Sequence, residues 1–159
     1  ADPVKKVTEE IEDLAKAMIE TMFHARGLGL AAPQVGELVR LFVLNVKILN
    51  PEDGRIARVL INPKVLYVEG EVEDEEGCLS IPGLFYPLKR PQKAVIEALE
   101  LTDKGVKAVE IEGEDLVART ILHENDHLDG ILFIDRLDMY TRASLVAEWE
   151  KNRKTTKTG

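Results

Sequence analysis

The segment His123-Glu124-Asn125-Asp126-His127 carries two imidazoles and a carboxylate at a spacing that suits one metal ion. Residues four apart on a helix lie on the same face, with Cβ atoms about 5–6 Å apart, so His123 and His127 can bind one cation together. Glu124 lies about 100° further round the helix, where its carboxylate can hold a water molecule beside the ion. This arrangement is typical of metal-assisted hydrolysis.

The residues around this motif favour a helix over about residues 115–128. Leu116, Thr120, His123 and His127 recur at helical spacing, and Gly130 provides a natural end. The alternative is a helix whose two histidines are solvated or packed in the core, because a bare motif of this kind also occurs by chance.

The only cysteine, Cys78, lies in the sequence EGCLS over residues 76–80. A lone cysteine is more often a small buried hydrophobic residue than a ligand. Catalytic zinc-type sites, however, use three protein ligands and keep a fourth position for water, and one cysteine with two histidines is an established set. No acidic residue after the motif helix is an obvious third ligand, so Cys78 is the better candidate.

A third segment, GLGLAAPQ over residues 27–34, has two glycines and two alanines that let another backbone approach closely. The alternative is a tight link between a helix and a strand, and the glycine spacing does not match a dinucleotide-binding loop. The side-chain amide of Gln34, at the end of this segment, can donate to an oxyanion.

Taken in order, GLGLAAPQ, EGCLS and HENDH resemble the three motifs of the peptide deformylases, and the resemblance extends from residue 1 to about residue 137. It implies an α+β fold with antiparallel β-sheets packed around a central metal-binding helix, between an N-terminal and a C-terminal helix. It also implies one catalytic domain over residues 1–159. The chain departs from the family pattern at Asn125, where an apolar residue is usual, and it lacks a short segment with which members usually begin. We expect altered packing at Asn125 and retained metal binding.

The resemblance implies a hydrolase that removes the formyl group from the N-terminal formyl-methionine of new polypeptides and releases formate. The ligands of its divalent ion are Cys78, His123 and His127. Members of the family typically use Fe²⁺, although Zn²⁺, Ni²⁺ and Co²⁺ suit the same ligands. Glu124 is the base, and Gln34 and the backbone N–H of Leu79 stabilise the oxyanion.

The resemblance also implies an extended substrate that pairs with the protein like an added strand, next to an apolar methionine pocket. The expected substrate contacts are Leu28, Gly29, Gly77, Phe85, Leu116 and Thr120, with Tyr86 as the alternative to Phe85 at the mouth of the pocket. For each apolar side chain, ordinary core packing is the competing interpretation. Arg90 is expected to pair with Asp126, and Glu76 to support the neighbouring ligand.

Hydrophobic periodicity predicts an N-terminal helix, a series of strands and a C-terminal helix. The predicted helices cover about residues 8–25, 115–128 and 141–151, and the predicted strands about residues 39–45, 57–60, 64–68, 94–101 and 106–112. Strands clustered between helices indicate an α+β fold. The single tryptophan, Trp149, is expected to be a packing residue.

The composition is that of an ordinary globular protein, with 159 residues, 45% hydrophobic and 31% charged. No apolar run approaches the ~20 residues of a membrane helix, and no signal-peptide core is visible. We therefore expect a cytoplasmic protein, or an organellar one after loss of a transit peptide. A single cysteine excludes an internal disulfide, and the net charge of −8 argues against a general DNA-binding role.

The C-terminal tail concentrates positive charge at Lys151, Arg153, Lys154 and Lys157. Such a tail can contact ribosomal RNA through its phosphates, while the alternative is a solvated chain end. Two other classes of function are compatible with part of this pattern. A general metallopeptidase would share the helix motif but has no use for the cysteine segment, and an inactive formyl-peptide binding module would have lost Glu124 or a ligand.

Overall fold

A five-stranded antiparallel sheet and a separate two-stranded hairpin enclose the motif helix, in a computed structural model that describes the backbone of residues 1–158 and the side chains of residues 1–152. The helices are α1 (Glu9–His24), α2 (Val46–Leu49), α3 (Leu116–Leu128) and α4 (Met139–Thr158). The strands are β1 (Gly29–Ala31), β2 (Leu41–Asn45), β3 (Ala57–Glu69), β4 (Val72–Cys78), β5 (Ile81–Arg90), β6 (Lys93–Thr102) and β7 (Gly105–Glu114). The strand order in the sheet is β1-β2-β3-β6-β7, and β4 pairs with β5. The predicted α+β class is confirmed.

Helix α1 covers one face of the five-stranded sheet. Thr8 caps its first turn by accepting a hydrogen bond from the N–H of Ile11 at 3.4 Å, and its inner face buries Ala15, Met18 and Met22. Because side chains alternate along a strand, Leu41 and Val43 of β2 face this helix. Residues 25–28 link α1 to β1, so the GLGLAAPQ segment begins just before the edge strand of the sheet.

Helix α3 covers the opposite face of the sheet. Ile121 and Leu128 pack against Phe42 and Leu44 of β2 and against buried side chains of β3 and β6. The polar residues of α3 other than Asn125 are also buried, because the hairpin covers the side of the helix that the sheet leaves open. Two histidines, a glutamate and an aspartate thus lie inside the protein on one short helix.

The hairpin of β4 and β5 packs between α3 and α4. Its apolar side chains, Ile81, Leu84 and Leu88, form a third cluster with Phe133 and Ile134, and α4 covers this cluster with Leu145, Val146 and Trp149. Trp149 is therefore a packing residue, as expected. Its indole N–H also donates to the carbonyl of Pro82 at 2.6 Å, which fixes α4 to the turn of the hairpin.

A buried carboxylate joins the hairpin to the motif helix. Glu76 of β4 accepts two hydrogen bonds from Arg90 of β5, at 3.0 and 2.6 Å, and one from Arg119 of α3 at 2.9 Å. The Nδ1 atom of His123 lies 2.6 Å from the same carboxylate. Arg119 also donates to two backbone carbonyls of the hairpin. All four side chains are nearly inaccessible to solvent, so each charge depends on the others for its hydrogen bonds.

A second buried carboxylate extends this network to the end of α3. Asp126 accepts a hydrogen bond from Arg90 at 2.7 Å, which confirms the predicted pair, and two from Arg136 at 2.6 Å each. Arg90 therefore bridges Glu76 and Asp126. The hairpin, α3 and the turn after α3 are held in one fixed arrangement.

Several predicted elements need correction. Residues 57–60 and 64–68 belong to one strand, β3, with a register shift between Ile61 and Lys64 where Asn62 adopts φ 52°. The strand over residues 81–90 and the short strand β1 were not predicted, and the last helix is longer than predicted. Asn125 is half-buried, and its Oδ1 atom has no hydrogen-bond partner among the described residues. None of the described helices has the length and hydropathy needed to cross a bilayer.

Two truncations on α3 should have different effects on stability. Ile121 is fully buried, so Ile121→Ala should lower the free energy of unfolding by about 2–5 kcal/mol through lost contacts and a cavity. Leu116 is 45% exposed, so Leu116→Ala should cost no more than about 1 kcal/mol. Urea unfolding of both variants measures the difference. Equal losses would mean that Leu116 packs in the core after all.

The carboxyl of Glu76 should control part of the acid stability. Burial raises its pKa, but hydrogen bonds from His123 and Arg90 outweigh burial and lower the pKa from 4.5 to about 2. A lowered pKa stabilises the fold above about pH 4.5, and this stability is lost as the pH falls towards about 2. The shift corresponds to about 3 kcal/mol.

We expect the difference in unfolding free energy between the parent protein and Glu76→Gln, both free of metal, to shrink by about that amount from about pH 5 to about pH 2. The matched control is Glu75→Gln, which removes an exposed carboxylate from the same strand. If the difference in unfolding free energy between the parent protein and Glu76→Gln does not change with pH, the fold does not stabilise the carboxylate of Glu76.

Candidate active site

Three potential metal ligands converge where the hairpin meets α3. The Sγ atom of Cys78 lies 3.2 Å from Nε2 of His127, and the Nε2 atoms of His127 and His123 are 3.0 Å apart. All three ligand atoms lie within 4.8 Å of one another. Both histidines are buried, so the solvated alternative does not hold for either of them.

The local backbone explains how these residues meet. His123 and His127 are one turn apart on α3 and point from its surface toward the hairpin. Cys78 is the last residue of β4, at a register shift after Gly77, where the strand turns back toward Ile81. Each ligand therefore lies on a regular element, and the network around Glu76 fixes those elements relative to each other.

The donor set fits a divalent ion. Neighbouring ligand atoms in a tetrahedral shell with bonds of about 2.0–2.3 Å lie about 3.3–3.6 Å apart. The distances from Nε2 of His127 to the other two ligand atoms, 3.2 and 3.0 Å, are slightly shorter than this. His123 faces Glu76 through Nδ1, which leaves Nε2 directed at the other two ligands. A carboxylate behind a histidine ligand is a common supporting contact in metal sites.

The charges in the site also favour a cation. Burial raises the pKa of Cys78, but contacts with His123 and His127 lower it to about 5, so the sulfur is a thiolate at neutral pH. Burial lowers the pKa of His123, yet contacts with Cys78 and Glu76 raise it to about 10. A proton on His123 thus balances the thiolate, and a bound cation would take over that role.

Glu124 lies next to the three ligand atoms and is only 3% exposed. Its Oε1 atom lies 3.8 Å from Nε2 of His123, and its Oε2 atom is buried without a hydrogen-bond partner among the described residues. Burial raises the pKa of Glu124 to about 7, against the opposing charges of the two histidines. A carboxyl with that pKa can both take and give a proton near neutral pH.

The side-chain amide of Gln34 has a fixed orientation. Its Oε1 accepts from the N–H of Ala31 at 2.8 Å, so its Nε2 points toward the hairpin. There Nε2 donates to the hydroxyl of Ser80 at 3.0 Å and lies 3.5 Å from Sγ of Cys78. An N–H donor close to the ligand cluster is well placed to bind a negatively charged oxygen.

A cleft of about 650 Å³ opens beside the ligand cluster. Every residue expected to contact substrate lines this cleft, as do five of the six expected catalytic and ligand residues, all but His127. These lining residues are Leu28, Gly29, Gly77, Phe85, Leu116, Thr120, Gln34, Cys78, Leu79, His123 and Glu124. Tyr86 instead packs in the third apolar cluster, so Phe85 is the aromatic residue at the cleft.

Two glycines are needed for this geometry. A Cβ atom on Gly29 would lie 2.8 Å from Cγ of Glu124 and 3.1 Å from the carbonyl of Val43. A Cβ atom on Gly77 would overlap the ring of Phe85, its partner across the hairpin. The missing side chains let β1 pass next to Glu124 and let the Phe85 ring cover β4.

Sequence reasoning missed two residues of the site. Arg119 lines the cleft and binds Glu76, and its position one turn before His123 was the available signal. Ser80 accepts from Gln34, and its backbone N–H donates to Sγ of Cys78 at 3.4 Å. Nothing in the spacing of Ser80 and Gln34 indicates that they meet, because 46 residues separate them.

Comparisons with known proteins agree with the geometry of the site. Residues 1–143 match the family model of polypeptide deformylase. The peptide deformylase of Acidothermus cellulolyticus is 46% identical over 154 residues, covering 94% of this chain and 80% of the relative. That of Clostridium botulinum is 50% identical over 133 residues, covering 84% of each.

Solved structures of peptide deformylases share the fold. The crystal structure from Legionella pneumophila has a TM-score of 0.86 at 37% identity, covering 100% of this chain and 90% of that one. The structure from Ehrlichia chaffeensis in complex with actinonin has a TM-score of 0.83 at 34% identity, covering 96% of this chain and 88% of that one. The chain therefore belongs to the peptide deformylase family, the metal-dependent hydrolases that remove the N-formyl group from newly synthesised polypeptides.

Proposed function

We propose that the protein performs this hydrolysis at one divalent ion held by Cys78, His123 and His127. The observation that carries the proposal is the convergence of three ligand atoms beside a buried carboxylate whose pKa is raised to about 7. On the family resemblance the ion is Fe²⁺. A thiolate with two imidazoles also suits Zn²⁺, Ni²⁺ and Co²⁺, which purified protein can contain.

Glu124 is the proton carrier in this proposal. When bound, the ion would act as a Lewis acid and make a water molecule more acidic. Glu124 takes the proton of that water while the water oxygen attacks the formyl carbon. The carbon–nitrogen bond then breaks, Glu124 gives the proton to the departing amine, and formate and the free N-terminus leave.

Gln34 and Leu79 stabilise the negative charge that develops on the formyl oxygen. Nε2 of Gln34 is aimed at the ligand cluster because its amide oxygen is held by Ala31. The backbone N–H of Leu79 follows Cys78 directly in the chain and provides a second donor. Fixed donors of this kind need no rearrangement during the reaction, which is why they lower the barrier.

The substrate lies in the cleft as an added strand. β1 is an edge strand of the sheet, so its free side can pair with an extended peptide that passes between Gly29 and Gly77. Leu28, Leu116 and Thr120 line the pocket for the methionine side chain, and Phe85 borders its mouth. We place this chemistry in one catalytic domain and in the cytoplasm, or in an organelle that makes its own proteins.

Replacing the carboxylate of Glu124 tests its role. Glu124→Gln should keep its metal but lose about 100- to 10,000-fold in turnover, because an amide can hydrogen-bond water but cannot accept its proton. The measurements are metal content and formate release from a formyl-methionyl peptide. An unformylated peptide assayed in parallel should remain intact, which separates this activity from a general metallopeptidase. Near-normal formate release by Glu124→Gln would rule out Glu124 as the base.

Replacing Cys78 tests the ligand assignment. Cys78→Ser and Cys78→Ala should bind metal much more weakly, since a thiolate ligand is lost. With iron loaded, the parent enzyme should lose activity in air and peroxide, and loading with nickel should reduce this sensitivity because Ni²⁺ is not readily oxidised. Full metal occupancy in Cys78→Ala, measured by elemental analysis, would overturn the assignment.

We also propose that the tail of α4 contacts the ribosome, where the substrate emerges. Its charges are Lys151, Arg153, Lys154 and Lys157, of which the last three have side chains outside the described residues. Contacts with RNA phosphates weaken steeply with salt, so replacing all four residues by glutamine should weaken ribosome binding and reduce its salt dependence. Neutralisation keeps the helix at full length. Formate release from a short peptide should not change, and unaltered ribosome binding at low salt would exclude the contact.

A further inference from the structure

A second recess, of about 770 Å³, lies between the turn of the hairpin and α4. It shares Leu79, Pro82, Gly83 and Phe85 with the active-site cleft, so the two recesses are continuous. Its far wall is formed by Leu145, Glu148, Trp149 and Asn152 of α4. The reaction at Cys78 uses none of the residues on this far wall.

The far wall is a fixed part of the fold. Trp149 donates its indole N–H to the carbonyl of Pro82, and Leu145 packs against the same apolar cluster as the hairpin. The recess is therefore present before any ligand binds, and occupying it requires little ordering of the protein.

Phe85 stands at the junction of the two recesses. Its ring is 62% exposed although it is one of the largest apolar side chains of the protein. The ring rests on Gly77 and is held there by cross-strand pairing. An exposed aromatic ring between two recesses with apolar walls is a typical contact surface for a peptide.

Because the two recesses are continuous, a chain that already passes through the active-site cleft has the most direct access to the second one. A nascent polypeptide continues beyond the residue that is deformylated, and an extended chain advances about 3.3 Å per residue. β1 is three residues long and can pair with only a few substrate residues, and the shared border at Leu79 and Phe85 offers the rest of the chain a continuous path. We propose that the substrate residues after the third pass over Phe85 and bind in the recess along α4.

The charge of the recess sets a preference among substrates. Of the residues that line it in the described part of the chain, Glu148 is the charged one, and it is exposed. This carboxylate, next to the apolar side chains of the recess, favours basic over acidic substrate side chains. The inference rests on the proposed function, because it needs the formyl group to lie at Cys78.

Three peptides and the metal-loaded enzyme test the proposal. Formyl-Met-Ala-Ser should be deformylated with a lower kcat/KM than formyl-Met-Ala-Ser-Leu-Leu-Lys, by about five- to tenfold and mainly through KM, because the longer peptide fills an additional apolar site. A third peptide with Glu in place of Lys should lose part of that gain.

Matched variants locate the effect on α4. Leu145→Ala should remove most of the gain from length, while Val146→Ala, which packs on the same cluster but does not line the recess, should keep it. Glu148→Gln should abolish the preference for Lys over Glu, and Glu150→Gln on the same helix should not. All four variants should deformylate the tripeptide like the parent enzyme.

The outcomes separate this inference from the proposed function. Equal kcat/KM for the tripeptide and the hexapeptides, or a gain from length that Leu145→Ala leaves intact, would overturn the proposed track along α4. A Leu145→Ala variant that changes only ribosome binding would overturn it too, because the recess would then serve another partner. Failure of the parent enzyme to release formate from the tripeptide would instead contradict the function itself.

Discussion

The carboxylate of Glu76 is the contact on which the active site depends most. It binds Arg90 of the same hairpin, Arg119 of α3 and the ring of His123, all inside the protein. Removing these charges from water is costly, and buried ion pairs often add little net stability. Their geometry, however, is specific, because few arrangements satisfy all the donors at once. The network therefore determines how the hairpin lies on α3, and Cys78 is two residues from Glu76 on that hairpin.

A second constraint is the space between neighbouring segments. Gly29 lets β1 pass beside Glu124, and Gly77 lets Phe85 lie across β4, so the cleft is bordered by backbone on both sides. Such a cleft can bind an extended peptide through its main chain, independently of most of its side chains. An enzyme that acts on many different nascent chains needs this kind of recognition, combined with one pocket for the methionine that they share.

The motif helix could be predicted from sequence because all the necessary information is local. His123, Glu124 and His127 lie within five residues of each other, and helical geometry alone brings the two histidines together. The contribution of Cys78 is different, since 49 residues separate it from His127. Its proximity follows from the packing of the hairpin, and only the chemistry of metal ligands and the family resemblance indicated it. The contact between Gln34 and Ser80 had no local signal.

The missed elements have similar physical causes. In β5, Pro82, Gly83 and Pro87 interrupt the alternation of apolar residues, so the sequence gives a weak strand pattern, and pairing with β4 stabilises the strand instead. β1 is three residues long and contains glycine, and it exists because β2 pairs with it. In β3, Asn62 and Pro63 interrupt the strand pattern, so the sequence predicts two short strands where the structure has one. Long-range pairing decides each of these cases.

The coordination of the bound ion is the most direct measure of the proposed site. X-ray absorption spectroscopy at the zinc edge of zinc-loaded protein identifies the neighbouring atoms by element and distance. The site formed by Cys78, His123 and His127 predicts one sulfur at about 2.3 Å and two imidazole nitrogens at about 2.0–2.1 Å, with oxygen completing the shell. A spectrum without sulfur, or with more than two imidazoles, would contradict it.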